Sequence, residues 1–446
     1  MLTFLQAASD DPEISTTLRS YIHHHLSPPD SIKLSGIVAE FLTIPLDYHY
    51  TIAGYPERRL WPRSTFNLIS IAAVQAKDTR DFMQRIIGIL PNEYWLKLLH
   101  VMTEAEPYYD KMIGAPYGPD AKKQIEELAK YSAKTQDIFN KLKSFYGSTW
   151  SSDIPFTISM YTIPGDKGST TASPHNNSIV LGVMAGEKNL KMSLCIAIHE
   201  MCHMLYLEQS LQVQKQLDDY FSQNNSIYSK YAYGYFDEAL ATACGNGWSY
   251  KTLSGSMNVQ SWYAHEYIDG YGHAIYPMVA RYINEGKQLD KIFVDSSVTL
   301  FEQHFPKAIY DYRNLLNNVM IYTDAKDHEQ FMSIISSVQQ YFTMHTSNST
   351  YPIADEQSMQ RIDNIAGSQL FIVHTNHNEN FSILKNKFPQ LKSVSLQKEG
   401  VISFFDDRKR PVIIINVNSI TTLDKALAVM AAAKEIDPDK IFTPLD

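Results

Sequence analysis

Hydrophobic positions recur at helical spacing through most of the first 150 residues. The clearest run spans 120–146, where Pro119 and Asp120 suit the start of a helix and Gly147 suits its end. Its apolar residues lie three, four or seven positions apart, and they are Ile125, Leu128, Tyr131, Ile138, Leu142 and Phe145. The pattern predicts that residues 1–150 form a mostly helical N-terminal region.

The pattern changes within 151–345. Alternating apolar residues at 156–160 and the apolar run 178–184, separated by a turn-rich segment, predict two strands of a small antiparallel sheet. Helical spacing then returns over 189–209, 236–249 and much of 287–345. We therefore expect a core region over 151–345 in which a small sheet precedes several helices.

A different pattern follows the polar, proline-terminated stretch 345–352, which suits a linker. Short apolar runs there alternate with helical stretches, an arrangement typical of α/β folds. The runs are 370–373, 401–405 and 412–417, and the helical stretches are 378–388 and 421–436. The sequence predicts a small α/β domain over 352–446 and an α+β, mainly helical fold for the whole chain.

Composition narrows the classes of function. The chain has 446 residues, of which 44% are hydrophobic and 20% charged, as expected for a folded protein of more than one domain. Its net charge of −9 gives no positive field for nucleic acid or an anionic membrane. No apolar run reaches the roughly 18 residues of a membrane span, so we expect a soluble protein. No targeting signal is recognised, but a removed signal peptide would leave the same sequence, so the cellular location stays open. The oligomeric state is also left open by the sequence.

Cysteine usage and a histidine run add little chemistry. Three cysteines without a CxxC pair argue against a disulfide framework and against a thiolate zinc site. Cys202 stands beside a histidine, but on a helix it would point away from the neighbouring side chains. The run of His23, His24 and His25 is expected to form a solvated helix face rather than a metal site.

An HExxH motif carries the strongest chemical signal. His199, Glu200, Met201, Cys202 and His203 lie within a strongly apolar helical stretch. Residues four apart share a helix face, about 5–6 Å from each other, so both imidazoles can reach one ion. Zinc accepts such nitrogens and in catalytic sites keeps one position for water, whose proton Glu200 is placed to take. Burying these polar groups is costly without a metal, so we interpret the motif as a site for one Zn²⁺ per chain.

A third protein ligand is required. The HExxHxxGxxH arrangement needs glycine at 206 and histidine at 209, whereas this chain has Tyr206 and Gln209. Glu238 lies 238 − 203 = 35 residues after the second histidine, in an alanine-rich stretch that would let two helices approach closely. Four other carboxylates compete for this role. Asp218 and Asp219 are two of them. Asp237 is expected to cap the helix that it begins, and Glu208, five residues after His203, would point away from the metal-binding face of its helix. We favour Glu238 as the third ligand.

The HEMCH motif followed by DEALATA at 237–243 resembles the gluzincin metallopeptidases, a clan with two histidines and one glutamate on the metal. The resemblance covers about 155–285. It implies metal binding by His199, His203 and Glu238, with Glu200 as general base. Two features depart from the family. The position four after the glutamate, often acidic, is Thr242, and the long interval before the glutamate implies an insertion at 209–235.

The resemblance implies two further elements. A strand ahead of the motif helix resembles a docking edge for the substrate backbone, and 178–184 occupies that place, although it suits an ordinary sheet strand equally well. The stretch 267–270 is similar to the YxxG element of the aminopeptidase branch, which makes Tyr267 a candidate donor to the transition-state oxyanion. His273, Tyr271 and His265 are the alternatives. The exopeptidase element GxMEN is not found, so aminopeptidase activity is not predicted.

These features predict zinc-dependent hydrolysis of peptide bonds in a peptide or protein substrate. Glu200 would act as general base on a metal-activated water, and the oxyanion would be stabilised by Tyr267 or His273. The main alternative is a non-catalytic, zinc-stabilised module that binds a protein or peptide. A third hypothesis is the same chemistry on a non-peptide amide or ester, because substrate choice depends on pocket walls that sequence does not reveal.

Overall fold

The computed structural model describes residues 1–446 except 51, 53, 56–62, 166, 345, 354–359, 361–366, 395–397 and 446. The chain divides into two compact units. The N-terminal unit comprises Met1–Asn225 and Tyr235–Leu300, and the C-terminal unit comprises Ser226–Gly234 and Phe301–Asp446. Helices dominate a mixture of helices and strands, as predicted for an α+β, mainly helical chain.

The first part of the chain is mostly helical, as predicted. Its helices are α1 (Leu2–Ala8), α2 (Thr16–His25), α3 (Pro28–Phe41), α4 (Thr65–Gln75), α5 (Thr79–Arg85), α6 (Asn92–Tyr109), α7 (Ala115–Ala129) and α8 (Ser132–Tyr146). A short ribbon of β1 (His49–Tyr50) and β2 (Arg63–Ser64) separates α3 from α4 in sequence. Polar side chains cap four of these helices by accepting backbone N–H groups, and they are Ser15, Ser27, Ser64 and Asp78.

The single helix predicted over 120–146 is two helices. α7 begins upstream of Pro119, and Lys130 and Tyr131 connect it to α8. The apolar spacing continues across this turn, so the periodicity alone does not reveal the break. Gly147 adopts a left-handed conformation with φ of 64° and ends α8, as predicted.

Three strands form the small sheet, in the order β3-β5-β4. They are β3 (Thr157–Ile163), β4 (Thr171–His175) and β5 (Ser178–Met184). β4 and β5 form an antiparallel hairpin, whereas β3 pairs with β5 in parallel. The prediction of an antiparallel pair over 156–160 and 178–184 is therefore wrong. β4 lies in the segment predicted as turns, and because it reverses the chain, β3 and β5 run in the same direction.

The predicted docking edge is also corrected. β5, over 178–184, is the central strand and is paired along both sides. Over Ser178–Gly182 both of its edges are hydrogen-bonded to neighbouring strands, so a substrate strand could not pair along this part of it. Its alternative interpretation, an ordinary sheet strand, is the one that the structure supports.

Helices follow the small sheet. They are α9 (Leu190–Leu207), α10 (Leu211–Ser222), α11 (Ser229–Thr242), α12 (Tyr250–Ser254), α13 (Glu266–Asn284) and α14 (Lys291–His304). A π-helical turn, Ala243–Ser249, continues α11 into α12. The helices predicted over 189–209 and 236–249 are thus present, the second beginning earlier than expected. None of the described helices combines the length and apolar character needed to cross a membrane.

A twisted sheet with helices on both faces forms the C-terminal unit. Among the described residues its strand order is β11-β9-β10-β8-β6-β7. The strands are β6 (Asn318–Thr323), β7 (Thr346–Thr350), β8 (Ser368–Val373), β9 (Gly400–Phe405), β10 (Pro411–Asn416) and β11 (Phe442–Pro444). The helices are α15 (Tyr312–Asn317), α16 (His328–Tyr341), α17 (His377–Lys387) and α18 (Ile420–Ala433). α16 and α18 pack on one face, and α17 packs on the other.

The predicted α/β character of this part of the chain is present, but its predicted boundary is not where the structure divides. The proposed linker 345–352 contains β7, which pairs with β6, and its first residue, His345, lies outside the described residues. β6 lies within a stretch predicted to be helical, yet it pairs with β8 inside the sheet. The sheet needs these strands, so the unit extends back to Phe301. Polar residues are common on edge strands, which explains why β7 resembles a linker in sequence.

Candidate metal centre

Helix α9 carries both histidines of the motif. Asn189 caps its start by accepting a hydrogen bond from the backbone N–H of Met192 at 3.4 Å. Nearly every side chain in its second half is buried, so α9 is an internal helix. His199 and His203 are only 6% and 8% exposed. Two polar rings are therefore held one helical turn apart inside the N-terminal unit.

The π-helical segment Ala243–Ser249, which continues α11, packs closely against α9. A β-carbon placed on Gly245 would lie 2.9 Å from the N, Cα and Cβ atoms of His199. Only glycine leaves room for this contact, because any other side chain would meet the backbone of α9. The alanines at 239, 241 and 243 are fully buried, in keeping with the predicted role of small residues here. Gly245 was not singled out by the sequence pattern.

The side chains of His199, His203 and Glu238 converge, with their ligand atoms all within 4.8 Å of one another. The two Nε2 atoms are 3.1 Å apart. Oε2 of Glu238 lies 3.5 Å from Nε2 of His199 and 3.6 Å from Nε2 of His203. Tetrahedral ligands at about 2.0–2.1 Å from zinc are separated by about 3.3 Å. The three residues therefore fit one zinc ion with only small movements of their side chains.

The electrostatics of this group also suit a cation. Nδ1 of His199 and Oε2 of Glu238 are buried without a hydrogen-bond partner, which is costly in the absence of a compensating charge. Burial acts to raise the pKa of Glu238, but the adjacent histidines outweigh it and hold the pKa far below its usual range. Burial acts to lower the pKa of His203, but Asp237 and Glu238 raise it well above normal. A metal ion would take the place of the proton that this environment attracts.

Asp237 contacts the far side of one histidine ring. Its Oδ2 lies 3.1 Å from Nδ1 of His203. A carboxylate at this nitrogen favours the tautomer protonated on Nδ1 and leaves Nε2 to bind a metal. The prediction that Asp237 caps a helix is wrong, because α11 begins at Ser229 and Asp237 lies well inside it. The orienting carboxylate thus precedes Glu238, whereas the family pattern expects it at the position of Thr242.

The other carboxylates weighed as third ligands lie elsewhere. Asp218 and Asp219 are on α10, and Glu208, just after the end of α9, pairs with Arg63 at 3.0 Å. None of these carboxylates belongs to the convergent group found among the described residues. The structure therefore favours Glu238 over its competitors.

The cysteine and the histidine run set aside in the sequence are also placed apart from this group. Cys202 is fully buried, and its thiol is not one of the converging ligand atoms. His23, His24 and His25 are exposed on α2, as predicted for a solvated helix face.

Glu200 lies beside the group without being part of it. The residue is half-buried, and burial raises the pKa of its carboxyl group, an effect that the two motif histidines partly oppose. Its carboxylate is not one of the converging ligand atoms. A carboxyl group beside these three candidate ligands, yet not one of them, meets one requirement for a general base.

Tyr263 contacts two of the candidate ligands. It lies in the loop between α12 and α13, and its ring stacks on His199 with a centroid distance of 5.9 Å and an interplanar angle of 26°. Burial raises the pKa of Tyr263, and the nearby charge of Glu238 raises it further. Its hydroxyl is therefore a protonated donor at the edge of the group. The sequence pattern missed it, because a loop residue carries no periodic signal.

The two predicted oxyanion donors lie on α13. Tyr267 is 6% exposed, and its ring stacks on Tyr235 with centroids 5.3 Å apart. His273 stacks on Trp262 at 3.8 Å, and its Nδ1 lies 2.9 Å from the backbone oxygen of Asp269. These contacts do not involve the three candidate ligands.

The two alternatives are placed as follows. Tyr271 is fully buried in α13. His265 immediately precedes α13, and its ring packs near Tyr235 and Tyr267, with centroid distances of 5.6 and 6.1 Å. The ring of Tyr263 stacks on the candidate ligand His199, as described above.

No protein family, curated protein or solved structure matches this chain. The functional argument therefore depends on the geometry and chemistry of the site itself.

Proposed function

We propose that this chain is a zinc-dependent hydrolase of peptide bonds with a gluzincin-like catalytic core. The observation that carries the proposal is the convergence of His199, His203 and Glu238 at separations of 3.1, 3.5 and 3.6 Å. Two imidazoles and one carboxylate are a ligand set of catalytic zinc, which keeps a further position for water or substrate. Structural zinc sites are usually closed by four protein ligands.

The protein's own residues have distinct roles in the proposed reaction. Zinc held in this group would lower the pKa of a water molecule and polarise the carbonyl group of the substrate. Glu200 accepts the proton of the attacking water and then donates it to the departing amine. Asp237 holds the ring of His203 in the orientation that directs Nε2 into the site.

We assign stabilisation of the oxyanion to Tyr263 ahead of Tyr267 and His273. A donor in this role must lie within hydrogen-bond reach of the developing negative charge. The ring of Tyr263 lies against His199, and the residue is close enough to Glu238 for that carboxylate to raise its pKa, so Tyr263 borders the space that a reacting carbonyl would enter. The rings of Tyr267 and His273 are engaged with Tyr235 and Trp262.

A second candidate function is a zinc-stabilised module that binds a protein or peptide without cleaving it. The observation in its favour is the deep burial of His199 and His203, at 6% and 8% exposure, which also suits a structural metal. The proposed hydrolase and this module share the same ligands. They differ in the role of Glu200, which is the general base of the hydrolase and has no catalytic role in the binding module.

Metal content and turnover, measured on one preparation of the full chain, test the proposal. We expect about one zinc per chain by elemental analysis, and cleavage of members of a peptide library that stops on chelation and returns with zinc. If only non-peptide amides or esters were cleaved, the proposed zinc-dependent hydrolysis would stand, but peptides would not be the substrate class. Stoichiometric zinc without any turnover would contradict the hydrolase and favour the binding module.

Glu238→Ala tests the ligand set independently of turnover. Removing one of three protein ligands should release the metal, whereas the matched variant Asp219→Ala, an exposed carboxylate on α10, should retain it. Zinc retention by Glu238→Ala equal to that of the unmodified chain would show that the third ligand is another residue.

A further inference from the structure

A cavity in the N-terminal unit lies on the side of α9 that faces away from the candidate metal centre. Its volume is about 380 Å³, and its walls come from α7, α8, the paired strands β3 and β5, and α9. This volume is within the range of small-molecule sites, about 300–1,000 Å³. The cavity is therefore large enough for a ligand and far larger than a packing defect between side chains.

The cavity is separate from the candidate metal centre. Leu194 and Met201 line it and lie seven positions apart, so they share one face of α9. At about 100° per residue, Met201 is turned by about 200° from His199. The cavity therefore faces the back of α9, and its occupant would not contact the metal ligands.

The lining is uncharged and mostly apolar. Among the described residues that line it, none is Asp, Glu, Lys, Arg or His. Phe156 forms part of one wall and contacts the ring of Phe139 at a centroid distance of 5.3 Å. Three polar lining residues, Ser132, Thr135 and Gln136, lie at the start of α8, and a fourth, Ser152, lies ahead of β3 and accepts a hydrogen bond from Lys143 at 3.0 Å. The cavity thus offers aliphatic and aromatic contacts together with polar groups that are mostly on α8.

The cavity also opens to solvent through apolar residues. Ile125 on α7 and Ile154 ahead of β3 both line it, and they are 50% and 47% exposed. Exposed isoleucines that border a concave apolar space leave surface that a ligand can remove from water.

We propose that this cavity binds an uncharged apolar small molecule, such as an aromatic ring system or a short acyl chain with a neutral polar end. Neutral ligands are favoured over ions, because a charge transferred into the cavity would lose water without gaining an oppositely charged partner among the described lining residues. The polar end of the ligand would lie at Ser132, Thr135 and Gln136, and the apolar part against Phe156 and Met201. Bound ligand would stabilise α9 from the side opposite the metal.

A matched pair of fluorescent probes tests this site. N-phenyl-1-naphthylamine is neutral, and 1-anilinonaphthalene-8-sulfonate has a similar aromatic body with one negative charge. Titrated into the full chain, the neutral probe should saturate at one per chain and bind at least about tenfold more tightly than the sulfonate, because the cavity cannot solvate a charge. Removal of metal by a chelator should leave this binding unchanged, which separates the cavity from the metal centre.

Three variants locate the binding. Thr135→Trp places a large side chain in the cavity and should weaken the neutral probe by about tenfold or more. Thr103→Trp is the matched control, because Thr103 is also a helical threonine whose hydroxyl donates to the carbonyl four residues earlier, but it lies outside the cavity. Gln136→Leu extends the apolar wall and should tighten binding while the stoichiometry stays at one probe per chain, whereas partial unfolding would expose apolar surface that binds the probe without saturating. Non-saturable binding, equal affinity for both probes, or equal effects of the two tryptophan variants would overturn the proposal.

Discussion

Oδ2 of Asp237 lies 3.1 Å from Nδ1 of His203, so the residue immediately before the candidate ligand Glu238 orients a candidate ligand on a neighbouring helix. One short stretch of α11 therefore supplies both a carboxylate that faces the metal position and a carboxylate that supports a histidine from behind. The two functions are coupled, because any shift of this stretch would move both groups.

Replacing Asp237 should weaken metal binding without removing a ligand. In Asp237→Asn the side chain keeps its size but loses the charge that favours the tautomer protonated on Nδ1, so zinc affinity should fall by about 10- to 100-fold. Competition with a chromogenic chelator measures this change, and Asp219→Asn on α10 is the control that should retain full affinity. Equal affinities for the two variants would show that Asp237 does not support His203.

The contact between Gly245 and His199 predicts a strong difference between two glycines. Gly245→Ala would place a methyl group 2.9 Å from the backbone of α9, so it should reduce stability by about 1–3 kcal/mol and also weaken zinc binding. Gly234→Ala is the control, because this glycine is also helical and a β-carbon there meets nothing within 4 Å. It should be neutral or stabilising by up to about 1 kcal/mol. Unfolding curves and zinc titrations of both variants check the prediction, and similar behaviour would contradict it.

Local sequence patterns predicted the parts of the site that depend on one helix. Residues 199 and 203 share a face because of helical periodicity, and the alanine-rich stretch after 236 indicated a second closely packed helix. The structure brings both histidines together with Glu238, as expected. Asp237 was misjudged because the start of α11 was placed too late, which made a residue inside the helix look like its cap.

Features that depend on tertiary neighbours could not be predicted in this way. Tyr263 lies in a loop, where no periodicity marks the residues that turn inward. β6 is buried on both faces, and a short apolar run of this kind does not distinguish a strand from a helix. β5 is paired on both sides because β4 pairs with it, and β4 was not predicted because its composition is typical of turns.

We predict that the free energy of unfolding depends on pH through His175, which lies in the small sheet. Burial lowers the pKa of His175 on β4 to about 4, from an ordinary value of about 6.5. Between these two values the unfolded chain binds a proton that the folded chain does not, so stability falls as the pH drops from about 6.5 to about 4. His175→Gln should remove roughly 1–3 kcal/mol of this loss, whereas His24→Gln on the exposed face of α2 should leave it unchanged. Denaturant unfolding at pH 7 and pH 4.5 measures the difference, and parallel losses in all three proteins would refute it.

Tyr263 and the two earlier candidates make different kinetic predictions. If Tyr263 donates to the oxyanion, Tyr263→Phe should lower kcat by about 10²- to 10³-fold with little change in KM or zinc content. Under this assignment Tyr267→Phe and His273→Gln should change kcat only slightly, because neither side chain would donate to the oxyanion. Steady-state kinetics on one substrate compare all three. Loss of kcat in Tyr267→Phe or His273→Gln, with Tyr263→Phe fully active, would return the role to the residue first predicted.

The most direct test of the proposed hydrolase is Glu200→Gln, measured for zinc content and turnover on the same sample. The substitution keeps the size and helical compatibility of the side chain but removes the group that accepts and returns a proton. We predict unchanged zinc occupancy and a loss of about 10²- to 10⁴-fold in the rate of hydrolysis of any substrate found for the unmodified protein. Full zinc occupancy with an unchanged rate would contradict the assignment of Glu200 as general base and, with it, the proposed mechanism.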